Sequence, residues 1–288
     1  MQVVVTKHHG LGNDFLVLDM SQITRDSSAD LQKIDSSKID SSKINWSKVA
    51  QQWCDRQDGV GADGLLLLSR HDDFKLEMQL FNQDGSRAEM SGNGIRCLAQ
   101  AAFDADGHEE SVSYTVLTDA GLRVVDVEPV SQDEVRASVD MGKIEEIRPP
   151  QNWHSIGSDP NRPVMHLSVG NPHSVVGVED VAIVNLLEIS QNIPQVNLEI
   201  IEPGPESHAI TMRVHERGAG ITQACGTGAC ASAWAASKWG LVPASVREVL
   251  VHQPGGDASV RLNHPQAGHV TLIGPANFSS RHNLELVL

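Results

Sequence analysis

Apolar and polar positions alternate along most of this chain with the two-residue period of half-buried strands. Residues 2 to 6 hold three consecutive valines. After the turn chemistry of His9-Gly10-Leu11-Gly12-Asn13-Asp14, Phe15-Leu16-Val17-Leu18 resumes a strand. From Phe74 to Phe81 the apolar Phe74, Leu76, Met78 and Leu80 alternate with Lys75, Glu77 and Gln79, and Leu65 to Leu68 is an unbroken apolar strand. The same reasoning predicts strands over 112–118, 121–127 and 134–140. In the second half it predicts them over 164–169, 174–178, 197–201, 210–214, 246–251, 258–262 and 269–273, with 282–288 returning to the first half. Helical patterns are fewer: one from an Asn45 cap to about Cys54, a short one within Asp180 to Gln191, and one long alanine-rich run in each half.

Those two runs share a design. Thr222-Gln-Ala-Cys225-Gly226-Thr227-Gly228 leads into a helix rich in Ala229, Ala231, Ala233, Ala235 and Ala236, which stops at Trp239-Gly240. Upstream, Ser91-Gly92-Asn93-Gly94 leads into Ile95-Arg96-Cys97-Leu98-Ala99. A thiol at a helix start feels the positive dipole end, which lowers its pKa, and glycines let a ligand reach the bare N–H groups. Each stretch alone reads as an ordinary N-cap. Their repetition points instead to two half-sites facing one substrate.

Composition narrows the classes. In 288 residues, 22 Lys and Arg stand against 37 Asp and Glu, a net charge of −15. This argues against nucleic acid or an anionic membrane as a main partner. No basic, then apolar, leader opens the chain and no stretch reaches 18 uninterrupted apolar residues, so a cytoplasmic location is expected. Cys54, Cys97, Cys225 and Cys230 are too few for a disulfide scaffold and badly spaced for zinc. Cys97, Cys230 and Cys54 read as buried hydrophobes and Cys225, between glycines, as the exception. Gly59-Val-Gly61-Ala-Asp-Gly64 matches a dinucleotide fingerprint, yet a helix precedes it and a strand follows, the reverse of what that fold needs, so NAD is rejected. The five-residue repeat over 33–47 (Lys-Ile-Asp-Ser-Ser twice, then Lys-Ile-Asn-Trp-Ser) fits neither structural period and reads as a surface insertion.

In their order, His9 to Phe15, Asn82 to Cys97, Gly170-Asn171-Pro172-His173, Pro194-Gln195-Val196-Asn197 and Glu216-Arg217-Gly218 through Cys230 resemble the diaminopimelate epimerase family of cofactor-independent amino-acid racemases. The resemblance implies an α/β (α+β) fold of two pseudo-symmetric domains, each a curved mixed sheet wrapped around a central helix. The expected halves are 1–145 with 276–288, and 146–275. It implies interconversion of LL- and meso-diaminopimelate by two-base proton transfer at the α-carbon, without pyridoxal phosphate or metal, in a homodimer whose partner is a small amino-acid substrate.

By the same resemblance Cys225 pairs with Glu216, and the first catalytic residue, Ser91, pairs with His173. Asn13, Asn82, Gly92, Asn93, Asn171, Asn197, Glu216, Arg217, Gly226 and Thr227 surround the substrate. The family's first cysteine is Ser91 here, and a hydroxyl is a far weaker acid than a thiol. Two further readings therefore stand beside the first: a related racemase acting on hydroxyproline or histidine, and an amino-acid-binding homologue impaired by Ser91. The serine also removes the chance of a disulfide between the two catalytic positions.

Overall fold

The computed structural model describes residues 1–24, 43–72, 75–156 and 161–286. Residues 33–42 of the repeat lie outside these. The alternating segments form seventeen strands, used in the same order twice. β1 (Gln2–Gly10) pairs antiparallel with β2 (Asn13–Asp19), β2 parallel with β3 (Gly64–Asp72), and β3 antiparallel with β4 (Lys75–Asn82). Beyond the short β5 (Arg87–Ala88), β4 pairs parallel with β6 (Val112–Thr118). Antiparallel steps then lead through β7 (Gly121–Pro129) to β8 (Glu134–Lys143).

After the short β9 (Glu145–Glu146) the pattern repeats. β10 (Val164–Ser168) pairs antiparallel with β11 (Pro172–Gly177), β11 parallel with β12 (Asn197–Pro203), and β12 antiparallel with β13 (Ala209–Glu216). Beyond the short β14 (Gly220–Thr222), β13 pairs parallel with β15 (Glu248–Gln253), followed antiparallel by β16 (Gly256–Leu262) and β17 (His269–Glu285).

Each run closes into a ring, and the closing strands are exchanged. β17 pairs with β8 from His269 to Asn277 and with β1 from Asn277 to Glu285, closing the first ring. β8, continued by β9 across Ile144, pairs with β17 on one side and β10 on the other, closing the second. Among the described residues the rings themselves have no open edge, and only short side strands such as β5 and β14 are paired on one side alone. The two strands expected over 269–273 and 282–288 are therefore one strand of 17 residues. Gly274-Pro275 does not break it, because Gly274 lies against the Arg96 guanidinium and the Pro275 carbonyl accepts from Arg96 Nε at 3.2 Å.

Among the described residues five α-helices accompany the rings: α1 (Ser21–Thr24), α2 (Trp46–Trp53), α3 (Gly92–Asp106), α4 (Leu186–Ser190) and α5 (Gly226–Trp239). α2 starts on the expected Asn45 cap, whose side chain accepts from Lys48 N–H at 3.1 Å. The helix expected within 180–191 is shorter than that span, five residues capped by Asn185. α3 fills the first ring and α5 the second, and both end on a left-handed glycine, Gly107 (φ 68°) and Gly240 (φ 75°). Small side chains let strands crowd round a central helix: all five alanines of α5 are fully buried. The four leucines of β3 are explained the same way. Leu66 and Leu68 join the core around α3, while Leu65 and Leu67 join Val49, Ala50 and Trp53 under α2. Each is worth about 1.5–3 kcal/mol of burial.

Candidate active site

Both inner helices begin directly after a short strand, on residues of nearly identical backbone shape. Ser91 has φ −141° and ψ 122°, and its Oγ accepts from Gly94 N–H at 3.0 Å. Cys225 has φ −132° and ψ 116°, and its Sγ accepts from Gly228 N–H at 3.3 Å. Both residues are thus true N-caps, which holds each heteroatom at the positive end of a buried helix.

The two helix starts touch. A Cβ added to Gly92 would lie 3.2 Å from Gly226 Cα, and one added to Gly226 would lie 3.1 Å from Gly92 Cα. Leu272 of β17 sits beneath both, its Cδ2 2.8 Å and 2.7 Å from the same hypothetical atoms. Glycine is required at both positions because backbone meets backbone there.

This junction forms the floor of a cleft of about 860 Å³. Ser91, Gly92 and Asn93 line it from one helix, Cys225, Gly226 and Thr227 from the other, so the residues predicted at 91 and 225 share one pocket. Asn13, Asn82, Asn171, Asn197, Glu216 and Arg217 line it as well. They arrive by the internal repeat: Asn13 opens β2 and Asn171 precedes β11, while Asn82 ends β4 and Glu216 ends β13. Asn197 opens β12, where Gly64 opens β3 in the other ring.

His173 is placed differently from expectation. Fully buried on β11, it does not line the cleft, and both ring nitrogens are engaged on the Cys225 side: Nδ1 with Glu199 Oε1 at 2.7 Å, Nε2 with Asn171 Oδ1 at 2.9 Å. No hydrogen bond joins it to Ser91. The reason is register. His173 sits opposite Asn197 as Phe15 sits opposite Gly64, so each ring places its own residue under its own helix. The Ser91 side receives Phe15 and Leu66 where the Cys225 side receives His173 and Glu199.

The Glu216 carboxyl meets the Cys225 thiol as expected, and its Oε1 accepts from Thr222 Oγ1 at 2.5 Å. Burial raises the Glu216 pKa above the ordinary carboxylate range. The thiol departs from expectation: burial first, then the charges of Glu216 and Glu199, push Cys225 well above the ordinary thiol value. Hydrogen bonds from Thr227 and from Gly228 N–H pull the other way and are outweighed. Cys225 thus sits beside a carboxyl whose proton affinity burial also raises, so that the two can exchange a proton.

Several polar residues of the site went unforeseen. Glu199 is a lone charge within Leu198-Glu199-Ile200-Ile201, and an acid inside an apolar strand is itself a signal. Gln253 accepts from Cys225 N–H at 2.8 Å through Oε1. Asp63 lines the cleft and holds Asn13 through an Nδ2–H···Oδ2 bond of 3.3 Å. Fully buried Arg96 donates to the Gly92 carbonyl and to Asn93 Oδ1, at 2.9 and 2.8 Å.

The fold is that of a solved structure of a predicted epimerase from Pseudomonas aeruginosa, with a TM-score of 0.70 at 14% identity over 98% of this chain and 99% of that one. The profile of the diaminopimelate epimerase family matches residues 5–147 and 165–279. A diaminopimelate epimerase of Synechococcus elongatus is 36% identical over 296 residues, covering 96% of each chain, and one of Thermosynechococcus vestitus is 37% identical over 302. The chain belongs to the diaminopimelate epimerase family.

Proposed function

We propose that this protein interconverts LL- and meso-diaminopimelate by removing the α-proton on one face and returning one on the other, with Cys225 and Ser91 as the opposed groups. The carrying observation is that these two side chains reach one cleft from helix starts in backbone contact. A substrate carboxylate over that junction meets the free N–H groups of both helices, and a preorganised donor of this kind is worth about 2.7–4 kcal/mol as enolate charge develops. Glu216 takes the thiol proton, the Cys225 thiolate removes the α-proton, and the Ser91 hydroxyl delivers its own to the other face, its alkoxide then taking a proton from solvent in the open cleft.

Distal recognition falls to Arg217. Of three arginines lining the cleft, Arg56 is held by Asp14 and Asp63 and Arg87 by Asp119. Arg217 has no carboxylate partner among the described residues; its backbone N–H donates to Asn197 Oδ1 at 2.8 Å. A free guanidinium beside Glu216 suits a second carboxylate and amine at the non-reacting end of the substrate. The same reading makes residues 1–145 with 276–288, and 146–275, two half-domains of a cytoplasmic homodimer.

Ser91 sets the pace. By microscopic reversibility, the step in which Ser91 delivers a proton and the step in which it removes one share a transition state, so its poor acidity limits both directions. The test is incubation with LL-diaminopimelate in D₂O. Deuterium at the α-carbon with appearance of the meso isomer is expected; neither exchange nor product overturns the reading.

A further inference from the structure

Behind Cys225 a buried carboxylate is joined to the sulfur by unbroken hydrogen-bonded contacts, which the opposite side of the cleft lacks. Glu199 Oε1 lies 2.7 Å from His173 Nδ1, His173 Nε2 lies 2.9 Å from Asn171 Oδ1, and Asn171 Nδ2 donates to Thr227 Oγ1 at 3.3 Å. Thr227 Oγ1 is 3.4 Å from Cys225 Sγ. Glu199 and His173 are both fully buried, and among the described residues Glu199 Oε2 has no hydrogen-bond partner, so the carboxylate's contact is with His173.

The chain has one direction. Asn171 uses its N–H group on Thr227, so its oxygen accepts, and His173 Nε2 must carry the proton it receives. The Thr227 hydroxyl accepts from Asn171, and once Cys225 is a thiolate with no hydrogen of its own the Thr227 hydrogen is the one left to join them. With acceptors at both ring nitrogens, Nε2–H donates to Asn171 Oδ1 and Nδ1–H donates to the carboxylate at its other end. That carboxylate is Glu199. We infer that Glu199 is a positioning residue of the reaction: by accepting from His173 Nδ1–H it leaves Nε2 with a proton of its own, which fixes the chain in the direction that ends with Thr227 O–H donating to Cys225 and so stabilises the thiolate when it forms. The inference rests on the reading of Cys225 as an acid–base group.

The ionisable groups facing the sulfur are Glu216 from β13 and Glu199 from β12, with His173 from β11 behind Glu199; on α3, Arg96 faces Cys97 and Cys230. The test separates direction from charge and needs no substrate. The whole protein is alkylated with iodoacetamide at fixed pH, and the rate at the Cys225 peptide is followed by mass spectrometry. In Glu199→Gln the amide N–H donates to Nδ1 and keeps the direction without the charge, so the rate stays within about twofold of wild type. In Glu199→Leu, which copies Leu66 of the other ring, the lock is gone and the rate falls about tenfold, one pH unit's worth of thiolate. Asn171→Leu cuts the chain downstream and falls equally, which keeps the test valid should Glu199→Leu not fold. An equal fall in Glu199→Gln, no fall in either leucine variant, or a faster reaction in both Glu199 variants, as lost negative charge alone would give, overturns the inference. Because diaminopimelate is absent from the assay, a failed epimerase reading leaves the result intact.

Discussion

Gly226→Ala probes the junction on which both half-sites depend. The new methyl would lie 2.7 Å from Leu272 Cδ2 and 3.1 Å from Gly92 Cα. The first neighbour is a side-chain end in a fully buried position; the second is backbone of the opposing helix and cannot yield unless α3 shifts. Overpacking of this kind costs about 1–3 kcal/mol. Any relief separates the helix starts, and a misplacement of about 1 Å at reacting groups costs on the order of a hundredfold in rate. The measurement is urea unfolding and turnover of Gly226→Ala, Leu272→Ala and the double variant. Leu272→Ala alone leaves a cavity worth about 2–5 kcal/mol. In the double variant the new methyl occupies space vacated by Leu272, so the two losses are expected to overlap by about 1 kcal/mol or more. Activity is not restored, because the contact with Gly92 remains. Strictly additive stabilities, or a Gly226→Ala enzyme turning over at the wild-type rate, would refute the account of the junction.

Ser91→Cys places a second thiol at the matching helix start and is expected to raise turnover by about tenfold or more. It should also create an oxidant sensitivity, reversed by a thiol, that the Ser91 protein lacks; unchanged turnover would show that the serine is no handicap. Arg217→Met is expected to raise KM for diaminopimelate about a hundredfold with a smaller change in kcat, since it removes binding at the non-reacting end; a loss confined to kcat would contradict that placement. His8 is buried between Gln100 and Thr6, and burial lowers its pKa from 6.5 to about 4, against the upward pull of its Gln100 hydrogen bond. Its folded value lies below its unfolded one, so the stability it contributes is complete above pH 6.5 and is lost as pH falls toward 4, about 3 kcal/mol in all. Urea unfolding at pH 7 and pH 4.5 should show that loss in wild type and a much smaller one in His8→Gln; equal losses would place the acid sensitivity elsewhere.

The two-residue period located nearly every strand because each ring has a helix inside it, so inward positions must be apolar whatever the connection order. Closure of the rings is another matter. It depends on β8 and β17, more than a hundred residues apart, trading places between halves, and no local pattern records a partner at that distance. The cleft was legible where backbone shape demands a residue type: glycines at 92 and 226, heteroatoms at 91 and 225. The place of His173 was not legible, because its neighbours across the sheet, not along the chain, decide which helix it lies under.

The placement of His173 under α5 carries a mechanistic consequence. Overlaying one ring on the other by strand order turns Cys225 into Ser91, His173 into Phe15 and Glu199 into Leu66, so the serine is one of three matched departures on a single side of the site. A thiol buried beside Glu216 has a carboxyl to take its proton. A hydroxyl backed by phenylalanine and leucine has no comparable recipient. The two faces are therefore unequal by construction, and restoring a thiol at position 91 alone would supply the acidity but not the polar support that its counterpart enjoys. Adding Leu66→Glu and Phe15→His to Ser91→Cys tests this: turnover above that of Ser91→Cys alone in a folded triple variant is expected, and an equal rate would show that the buried pair serves only the packing of the second ring.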